Sequence, residues 1–326
     1  MSGMQMMNDH PSYLYSRYTF VTKIGEGSFG CVWKAFDNRT GEIVAIKVLK
    51  DKVFSWEEAK NLQEVKLLHE FDDPNIVKLK CVVAEGYSTL CLVFEYMDCS
   101  LGKVIRDRCD RDEFFTDFEI RNYCFQIFKG LDYMHRHGCF HCDLKPDNLL
   151  VRRDVIKIAD LGSAQEIQSN SPHKEYITTR WYRAPEVLLY SEYGSAIDMW
   201  AMGAIMAELY LTCPLFPGDC GYDQLYKICS IMGCPDDRSW LGESAKYYRF
   251  PQLKGIPFDE IMTDVSKDAI DLMTKLLSWN PKNRPTAAEA LRHPFFKPCY
   301  EVQTKPCLSI NPPVVLGSTR GVVHAQ

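Results

Sequence analysis

The sequence predicts an α+β fold with two lobes: a small β-rich amino-terminal lobe with one main helix, followed by a larger, mostly helical lobe. A chain of 326 residues, 46% apolar and 25% charged, is long enough to form two packed cores. Residues 18–49 alternate β-branched and aromatic side chains with turn residues, which is typical of strands. From about Leu101 onward, helical spacing dominates.

The small lobe is predicted from changes in the spacing of apolar residues. A glycine cluster at 25–30 and a turn at 38–41 divide its first part into three antiparallel strands. Helical spacing then places Leu62, Val65 and Leu68 on one face of a helix. The predicted elements are three strands within 18–49, a helix at 56–71, and further strands at 76–83 and 89–96.

The larger lobe is predicted to begin near Met97 and Asp98, after the last strand of the small lobe. Its clearest helices are expected at 118–137 and 195–210, where apolar residues recur at helical spacing. No internal repeat divides the chain, and both ends are expected to be loosely structured. The predicted organisation is a tail at 1–17, the small lobe at 18–97, the large lobe at 98–296 and a tail at 297–326.

Composition excludes several classes of function. The net charge is −5 without a lysine or arginine block, so binding to nucleic acid or to a membrane surface is not expected. No apolar run approaches the roughly 18 residues of a membrane span. The amino terminus lacks the basic start and apolar core of a secretory signal. We therefore expect a monomer in the cytoplasm, a reducing compartment.

Fourteen cysteines raise the alternatives of a disulfide framework or a zinc site. Cys139 and Cys142 have the C-x-x-C spacing of half a structural zinc site, but no second pair follows at a suitable distance. Most cysteines lie in apolar runs, as Cys91 and Cys124 do, where free cysteine behaves as a small hydrophobic residue. Buried free thiols are therefore favoured over zinc ligands.

The stretch GEGSFGCV at 25–32 fits the pattern G-x-G-x-x-G-x-V. A dinucleotide-binding fold uses similar glycines, but there a helix follows them. Here they are followed by CVWKAF, which has the composition of a strand, so a hairpin flap over a triphosphate is favoured. A hairpin turn without function is the alternative if the motif is considered alone.

Lys47 in VAIK is expected to project from the third strand beneath this flap, where a lysine can contact phosphates. An unpaired cation near an apolar cleft would be costly, and Glu64 on the following helix is the expected partner. Considered singly, both residues would more often be solvated surface charges. The motifs farther along the chain favour the functional interpretation.

The sequence HCDLKPDN at 141–148 and a later Asp160 provide the groups that phosphoryl transfer requires. Asp143 can act as the base that orients an attacking hydroxyl, and Lys145 can supply a cation. Asn148 and Asp160 carry hard oxygen ligands that suit Mg²⁺. ATP and Mg²⁺ are thus the expected cofactors, and six ordered motifs, including APE at 184–186 and DMW at 198–200, are unlikely to coincide by chance.

From about Tyr18 to Phe296 the chain resembles a eukaryotic protein kinase, and Lys145-Pro146 resembles the serine/threonine class. The resemblance implies that Phe94 is the gatekeeper, that Glu95, Tyr96 and Met97 form the hinge, and that Glu186 pairs structurally with Arg284. The residues implied to bind ATP are Ile24, Gly25, Gly27, Gly30, Val32, Ala45, Lys47, Phe94, Glu95 and Met97.

Finer features resemble the MAP-kinase and cyclin-dependent-kinase group, including TTRWYRAPEVLL at 178–189, PLFPG at 214–218 and an insert at about 213–265. The motifs NLQEVKLL and HPFF are most similar to the male-germ-cell-associated, intestinal-cell and MAPK-overlapping kinase family. This resemblance implies protein substrates with proline after the phosphorylated serine or threonine, partly through Arg183. It also implies a role in cilia or flagella, or in the nucleus.

Two departures, Cys142 and Leu161, raise the alternative of a pseudokinase or a slow ATP-binding scaffold. Every residue with a direct chemical role is nevertheless present, and Leu161 is still an apolar side chain that can pack beneath Leu68 and His141. An active kinase is therefore favoured.

In the MAP-kinase and cyclin-dependent-kinase group that the chain resembles, three arginines bind a phosphothreonine of the activation segment. This chain has Gln63, Cys142 and Gln165 at those three positions. The threonine itself is replaced by Lys174. Three clustered cations without a phosphate would repel one another, so their joint absence is physically coherent. It predicts activation without threonine phosphorylation. Any remaining phosphate control is expected at Tyr176, paired by Arg180 and Arg183.

Overall fold

A computed structural model describes residues 13–27, 30–50, 56–85, 89–167, 180–243 and 248–303. The amino-terminal lobe is built on a five-stranded antiparallel sheet with the strand order β1-β2-β3-β5-β4. The three strands predicted within 18–49 are confirmed. The strands of this sheet are β1 (Tyr18–Glu26), β2 (Gly30–Asp37), β3 (Ile43–Leu49), β4 (Leu79–Glu85) and β5 (Thr89–Glu95).

Helices precede, interrupt and follow this sheet. In chain order they are α1 (Tyr13–Arg17), α2 (Trp56–Asn61), α3 (Gln63–Glu70), α4 (Leu101–Cys109), α5 (Asp117–Arg136), α6 (Pro185–Leu188), α7 (Ala196–Leu211), α8 (Gly221–Met232), α9 (Phe258–Ile261), α10 (Lys267–Leu276), α11 (Ala287–Leu291) and α12 (Lys297–Gln303).

The prediction of a single helix at 56–71 is wrong in one respect: the segment forms two helices, α2 and α3. Leu62 between them has an extended backbone with φ −62° and ψ 126°. Its side chain packs against the main core, and α3 restarts at once with Glu64 and Val65 buried. The interruption therefore lets both Leu62 and the following turn face the interior.

The strand predicted at 76–83 begins later, at Leu79. The residues before it pair with the larger lobe instead: Ile158 donates its N–H to the Asn75 carbonyl at 2.8 Å and accepts from Val77 at 2.9 Å. The chain thus crosses to the other lobe before it enters β4. Sequence periodicity cannot distinguish this single parallel bridge from the start of a strand.

The ordered part of the chain begins before the predicted boundary at residue 18. Leu14 of α1 and Tyr18 are almost fully buried in a core on one face of the sheet. Arg17 donates to the Asp37 carboxylate at 3.0 Å, which fastens α1 to the end of β2. At the other end, α12 extends the folded region past residue 296.

The larger lobe is organised around α5 and α7. α7 is apolar on all sides, and most of its residues are buried, as expected for the central helix of a lobe. α5 begins at a capping box in which Thr116 and Glu119 satisfy each other's backbone N–H groups. Short strands complete this lobe: β6 (Cys99–Ser100), β7 (Cys139–Phe140), β8 (Leu149–Arg152), β9 (Val155–Ile158) and β10 (Gln165–Glu166).

The ion pair expected between Glu186 and Arg284 is present and buried. The guanidinium donates to both carboxylate oxygens, at 2.6 and 2.8 Å, and also to three backbone carbonyls. A buried charge pair is tolerated only when its hydrogen-bonding groups are satisfied in this way. It joins α6 to the segment before α11.

Within the described ranges, no helix is long and apolar enough to cross a membrane. The cysteines in those ranges are free thiols. The same residues contain no group of three or more histidine, cysteine, aspartate or glutamate side chains arranged to hold a metal ion.

Candidate active site

Lys47 is the centre of an ion network between the two lobes. It lies on β3 opposite Val32 of β2, and its ammonium contacts both oxygens of Glu64 at 2.8 Å. The same ammonium donates to the Asp160 carboxylate at 2.9 Å. Burial acts to lower the pKa of Lys47, but the two carboxylates outweigh it and raise that pKa. The lysine that the sequence places beneath the flap therefore stays charged.

Asp160 is held in an unusual backbone conformation. Its φ of 62° and ψ of 65° are left-handed, a region that non-glycine residues seldom occupy. Leu161 immediately after it is fully buried in the same core as Leu68, and the turn Leu161–Ser163 packs against α3. Although burial acts to raise the pKa of Asp160, Lys47 lowers it overall. The packing thus presents an ionised carboxylate to the cleft.

Asp143 lies in the loop after β7, and the charge of its neighbour Lys145 acts on Asp160. Its carboxylate accepts from the Lys145 ammonium at 2.6 Å. The Asn148 amide nitrogen donates to the Asp143 backbone carbonyl at 2.8 Å, so the amide oxygen of Asn148 is the end left to bind another group. The turn Pro146–Asn148, which starts with proline, brings Lys145 and Asn148 to the same side of Asp143.

The loop around Asp143 is fixed by the buried carboxylate of Asp198 on α7. Asp198 accepts from the backbone N–H of His141 at 2.8 Å and of Cys142 at 3.1 Å. His141 accepts from the Asp143 N–H through Nδ1, so its Nε2 donates to the Ala159 carbonyl. These bonds hold Cys142 at φ 70°, a strained angle for a side chain with a Cβ.

The glycine motif forms the hairpin between β1 and β2, as predicted. Gly30 must be glycine, because a Cβ there would lie 2.3 Å from the Val48 carbonyl oxygen. The backbone N–H of Gly27 donates to the Gly30 carbonyl at 2.9 Å. Lys50 donates to the Gly27 carbonyl at 2.8 Å and so connects the hairpin to the end of β3.

The predicted adenine site lies where β1, β2, β3 and β5 meet the connection between the lobes. Ala45 and Phe94 are register partners, and Gly25 is opposite Val32, while Ile24 stays partly exposed at the opening. Among the described residues, none accepts a hydrogen bond from the backbone N–H of buried Met97. That donor fits the acceptor edge of a purine.

The side chain of Glu95, a predicted hinge residue, is engaged away from this site. Its carboxylate accepts from Lys157 at 2.6 Å and from the Lys78 backbone N–H at 2.8 Å, both outside the cleft. The sequence identifies Glu95 as a hinge residue, but it cannot show that this side chain is already engaged. Its structural role is to connect β5 to β9 across the lobes.

The donor set fits a magnesium nucleotide. Asp160 and the amide oxygen of Asn148 offer two hard oxygen ligands, and Mg²⁺ commonly takes one or two protein ligands with phosphates and waters completing its shell. Lys47, tied to two carboxylates, offers the cation for the phosphates. Lys47, Glu64 and Asp160 are thus joined directly, and Asp143, Lys145 and Asn148 form a second cluster on the loop after β7.

Comparison with known proteins identifies the same architecture. The protein kinase domain family matches residues 18–296. The chain belongs to the protein kinase family.

Relatives of this kinase domain confirm the finer resemblance. They include cyclin-dependent kinase F-4 of Oryza sativa subsp. japonica (51% identical over 289 residues) and the serine/threonine-protein kinases MAK of Homo sapiens and ICK of Mus musculus (each 45% identical over 288 residues). The matches cover 87%, 86% and 86% of this chain, and 62%, 46% and 45% of the respective relatives. The chain thus spans about half to two thirds of the length of these relatives.

Only some of the regulatory residues predicted for this kinase domain lie within the described residues. Tyr176 and Lys174 lie outside the described residues. Arg180 and Arg183 are joined by a turn in which the Arg183 N–H donates to the Arg180 carbonyl at 3.0 Å. Arg183 also lines, with Cys142 and Asp143, a narrow cavity of ≈ 20 Å³ beside the catalytic loop.

Sequence reasoning missed Glu208, a buried carboxylate on α7 close to this cavity. It accepts from the Tyr182 hydroxyl at 2.7 Å, and burial raises its pKa to about 7, although the Tyr182 bond opposes the shift. Asp147 raises that pKa further, while Arg106 lowers it. Because Tyr182 and Glu208 are 26 positions apart, only the tertiary fold shows that they are partners.

Proposed function

We propose that this chain is a serine/threonine protein kinase that transfers the γ-phosphate of Mg-ATP to protein substrates. The observation that carries the proposal is the pairing of Lys47 with both Glu64 and Asp160 at 2.8–2.9 Å. A pseudokinase requires none of these charges, and unpaired they would be costly to bury. Their full assembly beside Asp143 therefore favours an active enzyme.

In this mechanism the substrate hydroxyl lies against Asp143, whose carboxylate receives the proton as the hydroxyl oxygen bonds to the γ-phosphorus. The bond from that phosphorus to the β–γ bridging oxygen breaks, and ADP leaves. Lys145, 2.6 Å from the Asp143 carboxylate, offsets negative charge on the transferring group. Bound Mg²⁺, held by Asn148 and Asp160, would neutralise phosphate charge.

The test uses the full 326-residue chain with Mg-ATP and a library of serine- and threonine-containing peptides. We expect phosphate incorporation that Asp143→Asn lowers on the order of a thousand-fold, since a positioned base and its charge are lost. The matched control is Asp268→Asn, which makes the same change on α10 outside the proposed active site and should retain activity. ATP binding without any transfer by the wild-type chain would support the pseudokinase alternative.

We further propose that the enzyme prefers proline after the phosphorylated residue and works in a cilium or flagellum. Resemblance of 178–189 to the substrate segment of the MAP-kinase and cyclin-dependent-kinase group supports the first part, and resemblance to the MAK and ICK family supports the second. Matched peptides with proline or alanine at that position test the first part. Equal rates for both would contradict it, and absence of a tagged full chain from cilia would contradict the second.

We also propose that activity does not depend on a phosphothreonine in the activation segment. Gln63, Cys142 and Gln165 are neutral at the three places where arginines would grip such a phosphate. Treatment with a phosphatase specific for phosphoserine and phosphothreonine should leave the activity within about two-fold, because no charge-assisted bonds depend on that phosphate. If any phosphate control remains, Tyr176→Phe should remove it. Loss of activity after the phosphatase alone would contradict the proposal.

A further inference from the structure

The first residue of β10, Gln165, is connected to a distant part of the larger lobe. Its side-chain amide donates to the hydroxyl of Tyr193 at 3.3 Å, across 28 positions of sequence. Tyr193 precedes α7, whereas β10 follows the Asp160 turn by only a few residues. This bond therefore joins the beginning of the activation segment to the chain that leads into the central helix.

The side chains that meet around this bond are uncharged, although the Asp198 carboxylate accepts from the nearby Cys142 backbone N–H at 3.1 Å. The Cys142 thiol, which lies beside the Gln165 backbone, donates to the Phe140 carbonyl at 3.7 Å. The Phe140 ring meets the Tyr193 ring edge-on at 6.3 Å. We call Phe140, Cys142, Gln165 and Tyr193 the neutral pocket. Each polar group named in it has a partner, and none carries a formal charge in this state.

Two residues of the neutral pocket also lie in paired strands next to the active site. Gln165 is opposite Phe140 in the β10–β7 ladder, and the N–H of Ile167 donates to the Gly138 carbonyl at 2.8 Å. β7 leads directly into Cys142 and the catalytic Asp143. Because β10 follows Asp160, contacts at Gln165 hold both aspartates relative to one another.

A second connection reaches β10 from α3. The Lys66 ammonium lies 3.8 Å from the Glu166 carboxylate, and both side chains are about half exposed. An exposed ion pair at this distance contributes little, because water screens it. The partly buried hydrogen bond of Gln165 is consequently the stronger candidate for fixing β10.

From this arrangement we propose that Gln165 is a positioning residue, whose hydrogen bond to Tyr193 holds the activation segment in place without a phosphate. The proposal rests on the proposed kinase activity. In this role the neutral pocket connects the segment, the catalytic loop and the chain before α7. In place of a phosphothreonine held by arginines, the segment would be held by the neutral hydrogen bond between Gln165 and Tyr193, which needs no phosphorylation.

The test compares Gln165→Leu, Tyr193→Phe and the double variant of the full chain. We expect each single change to lower kcat about five-fold, the effect of one neutral hydrogen bond, with the KM for ATP unchanged. If both act through the same bond, the double variant should be no slower than the worse single one. Amide exchange at Ile167 should accelerate by a similar factor, whereas exchange within α5 should not change.

Tyr210→Phe is the matched control, because it removes a hydroxyl bonded to Asp117 at 2.9 Å, away from the segment. It should leave kcat and Ile167 exchange unchanged. Additive losses in the double variant, or unaltered Ile167 exchange in both single variants, would overturn the positioning role. Amide exchange is measured without turnover, so it tests the neutral pocket even if the wild-type chain is inactive. Failure of the proposed kinase activity can therefore be distinguished from failure of the positioning role.

Discussion

The catalytic cleft and the neutral pocket lie side by side but differ in how they are held together. In the cleft, Lys47 joins two carboxylates at 2.8–2.9 Å, and every partner is charged. In the neutral pocket, Gln165 and Tyr193 meet through uncharged groups. Under the proposed function, charge is retained where the phosphates of ATP bind and is absent where arginines would hold a regulatory phosphate. The difference separates the proposed catalysis, which uses residues of both lobes, from the proposed phosphate control, which concerns the larger lobe.

The largest expected effect is in the cleft. Asp160→Asn should lower kcat on the order of a thousand-fold, because it removes a metal ligand and one partner of Lys47. The assay is phosphate transfer to a peptide at saturating Mg-ATP. Asp154→Asn, in the turn between β8 and β9, is the control. Near wild-type turnover of the Asp160 variant would contradict this contrast between the cleft and the neutral pocket, because it would show that phosphate transfer does not need the charged cleft.

Glu208 tests the effect of a buried ionisable group whose partner, Tyr182, lines the same cavity as Cys142 and Tyr193 of the neutral pocket. Its pKa of about 7 lies above the ordinary value of 4.5, so ionisation destabilises the fold increasingly as pH rises through this interval and fully above it. Glu208→Gln should therefore raise the free energy of unfolding by about 3 kcal/mol at pH 8 and by only about 1 kcal/mol at pH 5. Urea unfolding at both values measures the difference.

A gain independent of pH would show that ionisation of Glu208 is not the cause. The control is Glu113→Gln, on the exposed turn after α4, which should change stability little at either pH.

A third prediction concerns the partner of Lys47 on α3. Glu64→Gln should lower kcat/KM roughly 10- to 100-fold, because one partner of a buried ion pair is lost while Asp160 remains. Glu57→Gln on α2 is the control, because that carboxylate is exposed and bonded to Lys60. Kinetics at varied ATP concentration provide the measurement. A variant as active as the control would mean that the cleft tolerates a neutral partner.

The smallest effect is expected at the exposed pair between α3 and β10. Lys66→Gln should change kcat less than about two-fold, because screening leaves a surface pair of this kind nearly neutral in energy. Comparison with Gln165→Leu in the same assay separates the effect of a neutral, partly buried hydrogen bond from that of a charged, exposed pair. A larger loss for Lys66→Gln than for Gln165→Leu would show that charge, and not the neutral pocket, holds β10.

Sequence alone predicted the parts of this fold that depend on local pattern. The hairpin around Gly25 and Gly30 follows from the alternation of its neighbours, and the residues of the catalytic loop follow from their order along the chain. Asp143, Lys145 and Asn148 lie within six positions, so one turn brings them together. Local spacing was sufficient there because the site is assembled from short segments.

The remaining features depend on contacts between distant residues. No pattern indicates that Gln165 would bond to Tyr193, or that Glu208 would be buried against Tyr182. The break at Leu62 depends on core packing, since neither proline nor glycine is present there to interrupt the helix. Such features follow from how the elements pack together, which hydrophobic periodicity does not specify.

The bond between Tyr18 and Cys81 has a consequence for how this protein meets other molecules. β1 and β4 are the two ends of the hydrogen-bonded order of the sheet, yet the Tyr18 hydroxyl is 3.3 Å from the Cys81 sulfur. The sheet is therefore curved enough for a side chain of β1 to reach β4, and α1 packs against both of these strands. A helix that packs against both edge strands is one of the ways in which a sheet limits pairing with a strand of a second molecule, so α1 should reduce edge-to-edge aggregation here.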